Sequence, residues 1–147
     1  GADLVVASAG GARDFVQSHK ALFNAYQAVK PGGRIVLLTP CAEGLGGEAF
    51  DKWLRIGSRA GIFAGLRAHA EVNGQTAPST IEKAPMTTFV TELSETSVDL
   101  LQGTKACSLQ DAVDDAARRL RERGIETPTC YLMPSASYTV PFIHEGE

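Results

Sequence analysis

The sequence has few cysteines, no long apolar run and no excess of basic residues. Its three cysteines, Cys41, Cys107 and Cys130, are widely spaced and form no CxxC pair. This odd number argues against a disulfide framework and against a zinc site, and it makes a reducing cytoplasm the expected compartment. No stretch approaches the roughly 20 apolar residues that cross a bilayer. The formal net charge of −3 argues against a nucleic-acid surface, which needs a basic stripe. We therefore expect neither a membrane nor a nucleic acid as a partner.

Histidine is scarce as well. The three histidines, His19, His69 and His144, are scattered along the sequence, so we expect no metal site within the chain. The chain opens directly on a strand-like segment, residues 3–7, without a basic and apolar leader before it, which predicts no secretory signal. Because no cap or turn precedes this strand, we interpret the chain as a fragment of a longer protein.

The composition that is present is typical of one globular domain, with 147 residues, 44% hydrophobic and 21% charged. An apolar run at residues 4–7 ends at a pair of glycines, as expected of a strand buried on both faces. The pattern over residues 14–30 is helical, and a Pro-Gly-Gly sequence then stops the helix. Residues 34–39 are typical of a second buried strand. This β-α-β unit implies parallel strands joined by a right-handed crossover.

Strands and helices continue to alternate along the rest of the chain. Helices are predicted over residues 49–59, 75–83, 94–101 and 108–123, and strands over residues 87–93, 105–107 and 129–133. Residues 58–69 stay unassigned because glycines interrupt the pattern, and residues 135–147 have the character of a tail. The alternation predicts a single α/β domain, Rossmann-like and doubly wound, with a mostly parallel sheet of about five strands.

The loop after the first strand is a candidate anion site, because ligands of open α/β sheets bind beyond the carboxyl ends of the strands. Gly10 and Gly11 allow the backbone to approach a ligand, and free N–H groups at the start of the next helix attract negative charge. Arg13 could add positive charge there. The loop lacks GxGxxG spacing, so no dinucleotide fingerprint is present. An ordinary tight turn between strand and helix remains the alternative.

The helix over residues 14–30 buries one face and presents another. Its apolar stripe consists of Phe15, Leu22, Ala25, Tyr26 and Val29. At about 100° per residue, Gln17 and Lys20 are neighbours on the opposite face, where an amide and an ammonium could hold one carboxylate. A solvated polar surface is the alternative. His19 lies near the stripe, which predicts a packed or hydrogen-bonded structural histidine.

A second glycine-containing loop, residues 41–47, follows the second predicted strand. Cys41 could be a reactive thiol, but no histidine lies nearby in the sequence. A small buried residue under the loop is therefore the favoured interpretation. Glu43 could cap or contact the neighbouring glycine loop.

Several short segments form a combination that is specific when they are taken together. It consists of SAGG at residues 8–11, QSHKAL at residues 17–22, PGG at residues 31–33, CAEGLG at residues 41–46 and NGQTA at residues 73–77. This combination resembles the C-terminal domain of the nickel-pincer lactate racemases, most closely over residues 3–47. The segment over residues 12–16 is shorter than is usual in that family, and Val16 stands where a tyrosine is common.

The resemblance implies a division of labour between two domains. In that family the N-terminal domain carries a nickel-pincer nucleotide, which accepts hydride from the α-carbon of a 2-hydroxy acid and returns it to either face. The C-terminal domain closes the cleft and orients the substrate carboxylate with a glutamine and a lysine, whose spacing matches Gln17 and Lys20.

The resemblance therefore implies that residues 1–147 are a C-terminal-type domain of a racemase or epimerase. This domain would act on a small 2-hydroxy acid of the lactate type, together with its own N-terminal domain. It would carry no catalytic residue, bind no cofactor covalently and be inactive alone. The competing interpretation is a free-standing binding or regulatory module that uses the glycine loop for a small anion or a nucleotide.

Overall fold

The fold is built on one parallel sheet. The computed structural model describes residues 1–142, and the strands within them are β1 (Ala2–Ser8), β2 (Val29–Leu38), β3 (Thr87–Val90), β4 (Thr104–Ala106) and β5 (Cys130–Met133). They lie in the order β4-β3-β2-β1-β5, and every neighbouring pair is parallel. The predicted α/β domain with about five strands is therefore confirmed, and the predicted edge strand near residue 105 lies at one edge as β4.

Six helices within residues 1–142 flank this sheet. They are α1 (Phe15–Ala28), α2 (Glu48–Leu54), α3 (Arg59–Ala68), α4 (Thr76–Lys83), α5 (Glu95–Leu101) and α6 (Leu109–Arg121), with short 3₁₀ turns at Ala84–Met86 and Ala136–Tyr138. None of these helices has both the length and the apolar character needed to span a bilayer.

The two faces of the sheet are covered by different helices, as the doubly wound fold requires. On one face, Ile35, Leu37 and Phe89 belong to a large core that also contains Phe15 and Leu22 of α1. On the other face, buried residues of α6 pack against the sheet; this smaller core consists of Leu4, Val36, Ala112, Ala116 and Leu120. Because both faces are buried, the central strands are continuous apolar runs rather than alternating ones.

Local capping patterns in the sequence predict several helix starts correctly. The Ser94 hydroxyl accepts a hydrogen bond from the Ser97 N–H at 3.1 Å and begins α5. Ser108 caps α6 in the same way through the Asp111 N–H, also at 3.1 Å. These side chains satisfy backbone donors that have no partner inside the helix.

The predicted boundaries of two helices are wrong. The first helix ends at Ala28 rather than at residue 30, because Val29 takes an extended conformation and pairs with Ala2 in the sheet. The helix predicted over residues 49–59 ends at Leu54, since Gly57 adopts a left-handed φ of 73°. Ser58 then accepts a hydrogen bond from an N–H of the following turn and begins α3, the segment that the sequence left unassigned.

The carboxyl end of the chain also departs from the sequence prediction. Residues 136–138 form a 3₁₀ turn that packs against α1 instead of extending as a tail. Ala136 in this turn is fully buried. Residues 143–147 of the predicted tail, which include His144, lie outside the described residues. The turn therefore belongs to the body of the domain.

Candidate functional site

A cavity of about 570 Å³ lies beyond the carboxyl end of β1. Three elements line it: the loop after β1, the first turns of α1 and the 3₁₀ turn. The lining residues are Ala9, Gly10, Gly11, Ala12, Val16, Gln17, Lys20, Ser137 and Tyr138. The structure therefore brings four of the predicted site residues together, namely the two glycines, Gln17 and Lys20, and leaves Arg13 out.

The glycine loop leaves open space in the cavity. Gly10 adopts a left-handed φ of 65°, and its N–H donates to the Ser8 hydroxyl at 3.1 Å. A Cβ atom added at Gly10 or Gly11 would meet no atom within 4 Å. The N–H groups of Gly11 and Ala12 have no hydrogen-bond partner within residues 1–142. These two groups are the backbone donors that the loop can offer to a ligand.

The N-terminus of α1, by contrast, is already satisfied by the chain itself. All four N–H groups of its first turn have acceptors, at distances between 2.8 and 3.2 Å. The bonds run from Phe15 to the Gly44 carbonyl, from Val16 to the Leu45 carbonyl, from Gln17 to the Asp14 carboxylate and from Ser18 to the Asp14 carbonyl. The expectation that free helix N–H groups attract an anion is therefore wrong for this helix.

Gln17 takes part in capping the same helix. Its Oε1 accepts from the Arg13 N–H and its Nε2 donates to the Asp14 carboxylate, each at 3.3 Å. Asp14 and the glutamine three residues later thus bond across the start of the helix in a variant of the capping box, in which Gln17 accepts from the residue before the N-cap. The Asp-x-x-Gln spacing carried this signal, which sequence reasoning missed. The amide nitrogen keeps one N–H for a ligand.

Lys20 is the only charged residue among those that line the cavity. Its side chain is exposed, and it forms no ion pair with any of residues 1–142. It lies one turn after Gln17 on the same helix face, as the spacing predicts. The cavity is therefore open and mildly basic, which suits a small anion.

Arg13 joins two loops instead of lining the cavity. Its Nε lies 3.5 Å from the Glu43 carboxylate, and both side chains are exposed. Its carbonyl accepts from the Glu43 N–H at 2.9 Å. The contact expected between Glu43 and the glycine loop is therefore present. An exposed ion pair of this kind contributes little stability, on the order of 0–1 kcal/mol.

Cys41 lies under these loops as a small buried residue. It has a left-handed φ of 53° and a nearly inaccessible side chain. Its sulfur lies 3.1 Å from the Thr39 hydroxyl and 3.5 Å from the Ser18 hydroxyl, and those two oxygens are 2.5 Å apart. This cluster ties the first turn of α1 to the end of β2, so its effect on the site is to position the helix.

His19 packs between α1 and α4 on the side of the helix away from the cavity. Its Nε2 lies 3.0 Å from the Ser79 hydroxyl. Burial, with a smaller effect from the charge of Lys83, lowers the pKa of His19 from 6.5 to about 4. The ring is therefore neutral at physiological pH, and the predicted structural histidine is confirmed.

The 3₁₀ turn supplies the part of the site that sequence reasoning missed. The Asn24 side chain donates to the Ala136 carbonyl at 2.7 Å, and the Ser137 hydroxyl donates to the Ala9 carbonyl at 3.2 Å. Tyr138 follows, with 91% of its surface exposed. A three-residue turn has no periodicity that a sequence pattern could reveal. Only the polar Asn24 on the outward face of the helix hinted that something packs there.

Comparison with known proteins adds a sequence relative and a solved structure. No protein-family model matches the chain. A lactate racemase of Thermoanaerobacterium thermosaccharolyticum is 39% identical over 57 residues, which make up 37% of this chain and 13% of that protein. The structure of the lactate racemase apoprotein from the same organism superimposes with a TM-score of 0.75 and 21% identity, over 96% of this chain. The chain is therefore similar to part of a lactate racemase in sequence and in fold.

The resemblance predicted from the sequence is thus confirmed, and so is the fold. The chain spans 36% of the length of the solved relative. Within residues 1–142, no group of three or more His, Cys, Asp or Glu side chains could hold a metal ion.

Proposed function

We propose that the chain is the substrate-closing domain of a lactate racemase-type enzyme that acts on a small 2-hydroxy acid. One observation carries the proposal: the cavity at the carboxyl end of the sheet contains a single charge, that of Lys20, in a chain that resembles lactate racemase. Residues 1–147 would form the C-terminal-type domain. The remainder of a longer protein, an N-terminal domain, would close the cleft from the other side.

The cavity can bind a carboxylate through several donors. The Lys20 ammonium supplies the charge, and a charge-assisted hydrogen bond contributes about 1.5–3 kcal/mol. The remaining N–H of the Gln17 amide and the free N–H groups of Gly11 and Ala12 could satisfy the other lone pairs. The role of this domain would be to bind and orient the substrate, because fixed orientation lowers the barrier of a reaction carried out elsewhere.

The cofactor of this enzyme would be held outside the described residues. His19 already contacts Ser79, and no metal-binding cluster is formed within residues 1–142. Following the resemblance, we assign the nickel-pincer nucleotide to the N-terminal domain, and racemisation by hydride abstraction and return remains a prediction from the same resemblance. The domain alone would be inactive, because cofactor chemistry belongs to the cofactor and to the domain that carries it.

Titration of the chain with L-lactate, followed by NMR, tests the proposal. We expect Lys20→Ala to raise the dissociation constant roughly tenfold, since it removes the charge of the cavity. Lys52→Ala is the matched control, because Lys52 is an exposed lysine that pairs with Glu71 outside the cavity. The same affinity in both variants would contradict the assignment of Lys20.

The unpaired N–H groups of Gly11 and Ala12 favour a second candidate function. Such backbone donors can also cradle a phosphate, as a free-standing anion or nucleotide module would require. Titration with inorganic phosphate, ATP and NADH distinguishes the two. Tight binding of one of these with no response to lactate would favour the module over the racemase domain.

A further inference from the structure

Tyr138 has an unusual position for an aromatic residue. Its ring is 91% exposed, yet the turn that carries it is fixed to the body of the domain at two points. Ala136 is fully buried and accepts a hydrogen bond from Asn24, and the Ser137 hydroxyl binds the Ala9 carbonyl at 3.2 Å. The backbone of Tyr138 is therefore held in place while its side chain stays free. A tyrosine in such a position offers a ligand both an apolar ring and a hydrogen-bonding hydroxyl, the combination for which tyrosine is enriched at interfaces.

The turn is also part of the cavity wall. Ser137 and Tyr138 line the same cavity as Gln17 and Lys20, although more than 100 residues of sequence separate the two pairs. The Ser137 hydroxyl is already used in the bond to Ala9. The phenolic O–H of Tyr138 forms no hydrogen bond within residues 1–142 and remains available as a donor.

The cavity lacks a second strong side-chain donor beside Lys20. A carboxylate has two oxygens and about four lone-pair sites. The Gln17 amide gives one N–H and its carbonyl oxygen to the cap of α1. Lys20, the remaining Gln17 N–H and the loop N–H groups would be taken up by the carboxylate, so the 2-hydroxyl of a hydroxy acid would lack a partner, and the phenol is the uncommitted side-chain donor on the wall.

We propose that Tyr138 is a substrate-contacting residue of this site. Its hydroxyl donates to the carboxylate or the 2-hydroxyl of the bound hydroxy acid, and its ring covers the cavity mouth. The proposal rests on the proposed function and adds to it a residue from a part of the chain that the sequence pattern leaves as a tail. Because the turn is anchored, little backbone freedom is lost when the ligand binds.

Two variants at this position, each titrated with L-lactate and with propionate, test the proposal. Tyr138→Phe removes only the hydroxyl, and Tyr138→Ala removes the ring as well. We expect the dissociation constant for L-lactate to rise roughly three- to tenfold with phenylalanine, as for loss of one neutral hydrogen bond, and further with alanine. If the phenol binds the 2-hydroxyl, the phenylalanine variant should bind propionate as the wild type does. An equal loss for both ligands would place the phenol on the carboxylate.

Tyr131→Phe is the matched control, because Tyr131 is a half-exposed tyrosine of β5 outside the cavity. It should bind L-lactate like the wild type. Unchanged lactate affinity in both Tyr138 variants, with weakened binding in Lys20→Ala, would overturn the role of Tyr138 and leave the proposed function standing. A wild-type chain that binds no lactate would overturn both. Since Tyr138 is exposed, thermal unfolding should show that both variants remain folded.

Discussion

Gln17 and Lys20 look equivalent on a helical projection, but their contacts differ. The Gln17 amide is bound to the Arg13 N–H and to the Asp14 carboxylate, so it supports the helix before any ligand arrives. Lys20 forms no ion pair within the described part of the chain and is free to bind an anion. The sequence could predict that the two side chains share a face, because that follows from 3.6 residues per turn. It could not predict the capping bonds, which depend on the conformation of the loop.

His19 should make the stability of the chain sensitive to pH. Its pKa is about 4 in the folded chain and about 6.5 when exposed. Between these values the unfolded chain binds a proton that the folded chain does not. The free energy of unfolding is therefore highest above pH 6.5 and falls as the pH drops towards 4, by about 3 kcal/mol at most. Urea unfolding at several pH values measures this slope.

His19→Gln is the control for this prediction, because a glutamine can still accept from Ser79 but does not titrate. The carboxylates remain in both proteins, including Glu82, whose pKa is lowered first by its hydrogen bond with Lys83. Asp3, with a pKa of about 2 owing mainly to hydrogen bonds from Thr129, titrates below the window. Identical slopes between pH 6.5 and 4 in the two proteins would show that His19 has no such effect.

At the scale of elements, the start of α1 is the point on which the site depends. Asp14 caps the helix through the Gln17 N–H at 2.8 Å and also holds the Gln17 amide. We expect Asp14→Ala to lower the free energy of unfolding by about 1 kcal/mol, as for loss of an N-cap. Asp99→Ala, at an exposed aspartate inside α5, should change it by less than about 0.5 kcal/mol. Equal urea midpoints for the two variants would contradict the capping role.

Local signals explain which elements could be predicted. The capping serines of α5 and α6 act within a few residues of their partners, so their sequence pattern is sufficient. The sequence pattern did not predict helix α3, because its glycines are required by tertiary packing and not by helix propensity. A Cβ at Gly65 would lie 2.6 Å from the Trp53 ring, so glycine allows α3 to pack there. Glycine weakens a helix by about 1 kcal/mol relative to alanine, so helix propensity alone does not predict a helix with several glycines.

At the scale of the whole molecule, the parallel sheet was predictable and the full wall of the site was not. Alternating strands and helices leave few possible topologies, so the β-α-β reading leads directly to the observed fold. The contact between Ser137 and Ala9 joins residues 128 positions apart. No periodic pattern marks such a contact. The structure therefore adds Tyr138 and Ser137 to a site whose other members the sequence had already indicated.

Mapping L-lactate on the chain by the chemical shifts of its backbone amides tests the central claim most directly. The account predicts that the largest changes fall around the cavity beyond β1, at Gly11, Ala12, Gln17, Lys20 and Tyr138. A second cleft at the carboxyl ends of β2 and β3, lined by Thr39, Thr91 and Cys107 among others, should respond little. Changes centred on that second cleft, or no changes at all, would contradict the claim that this domain holds a 2-hydroxy acid beside Lys20.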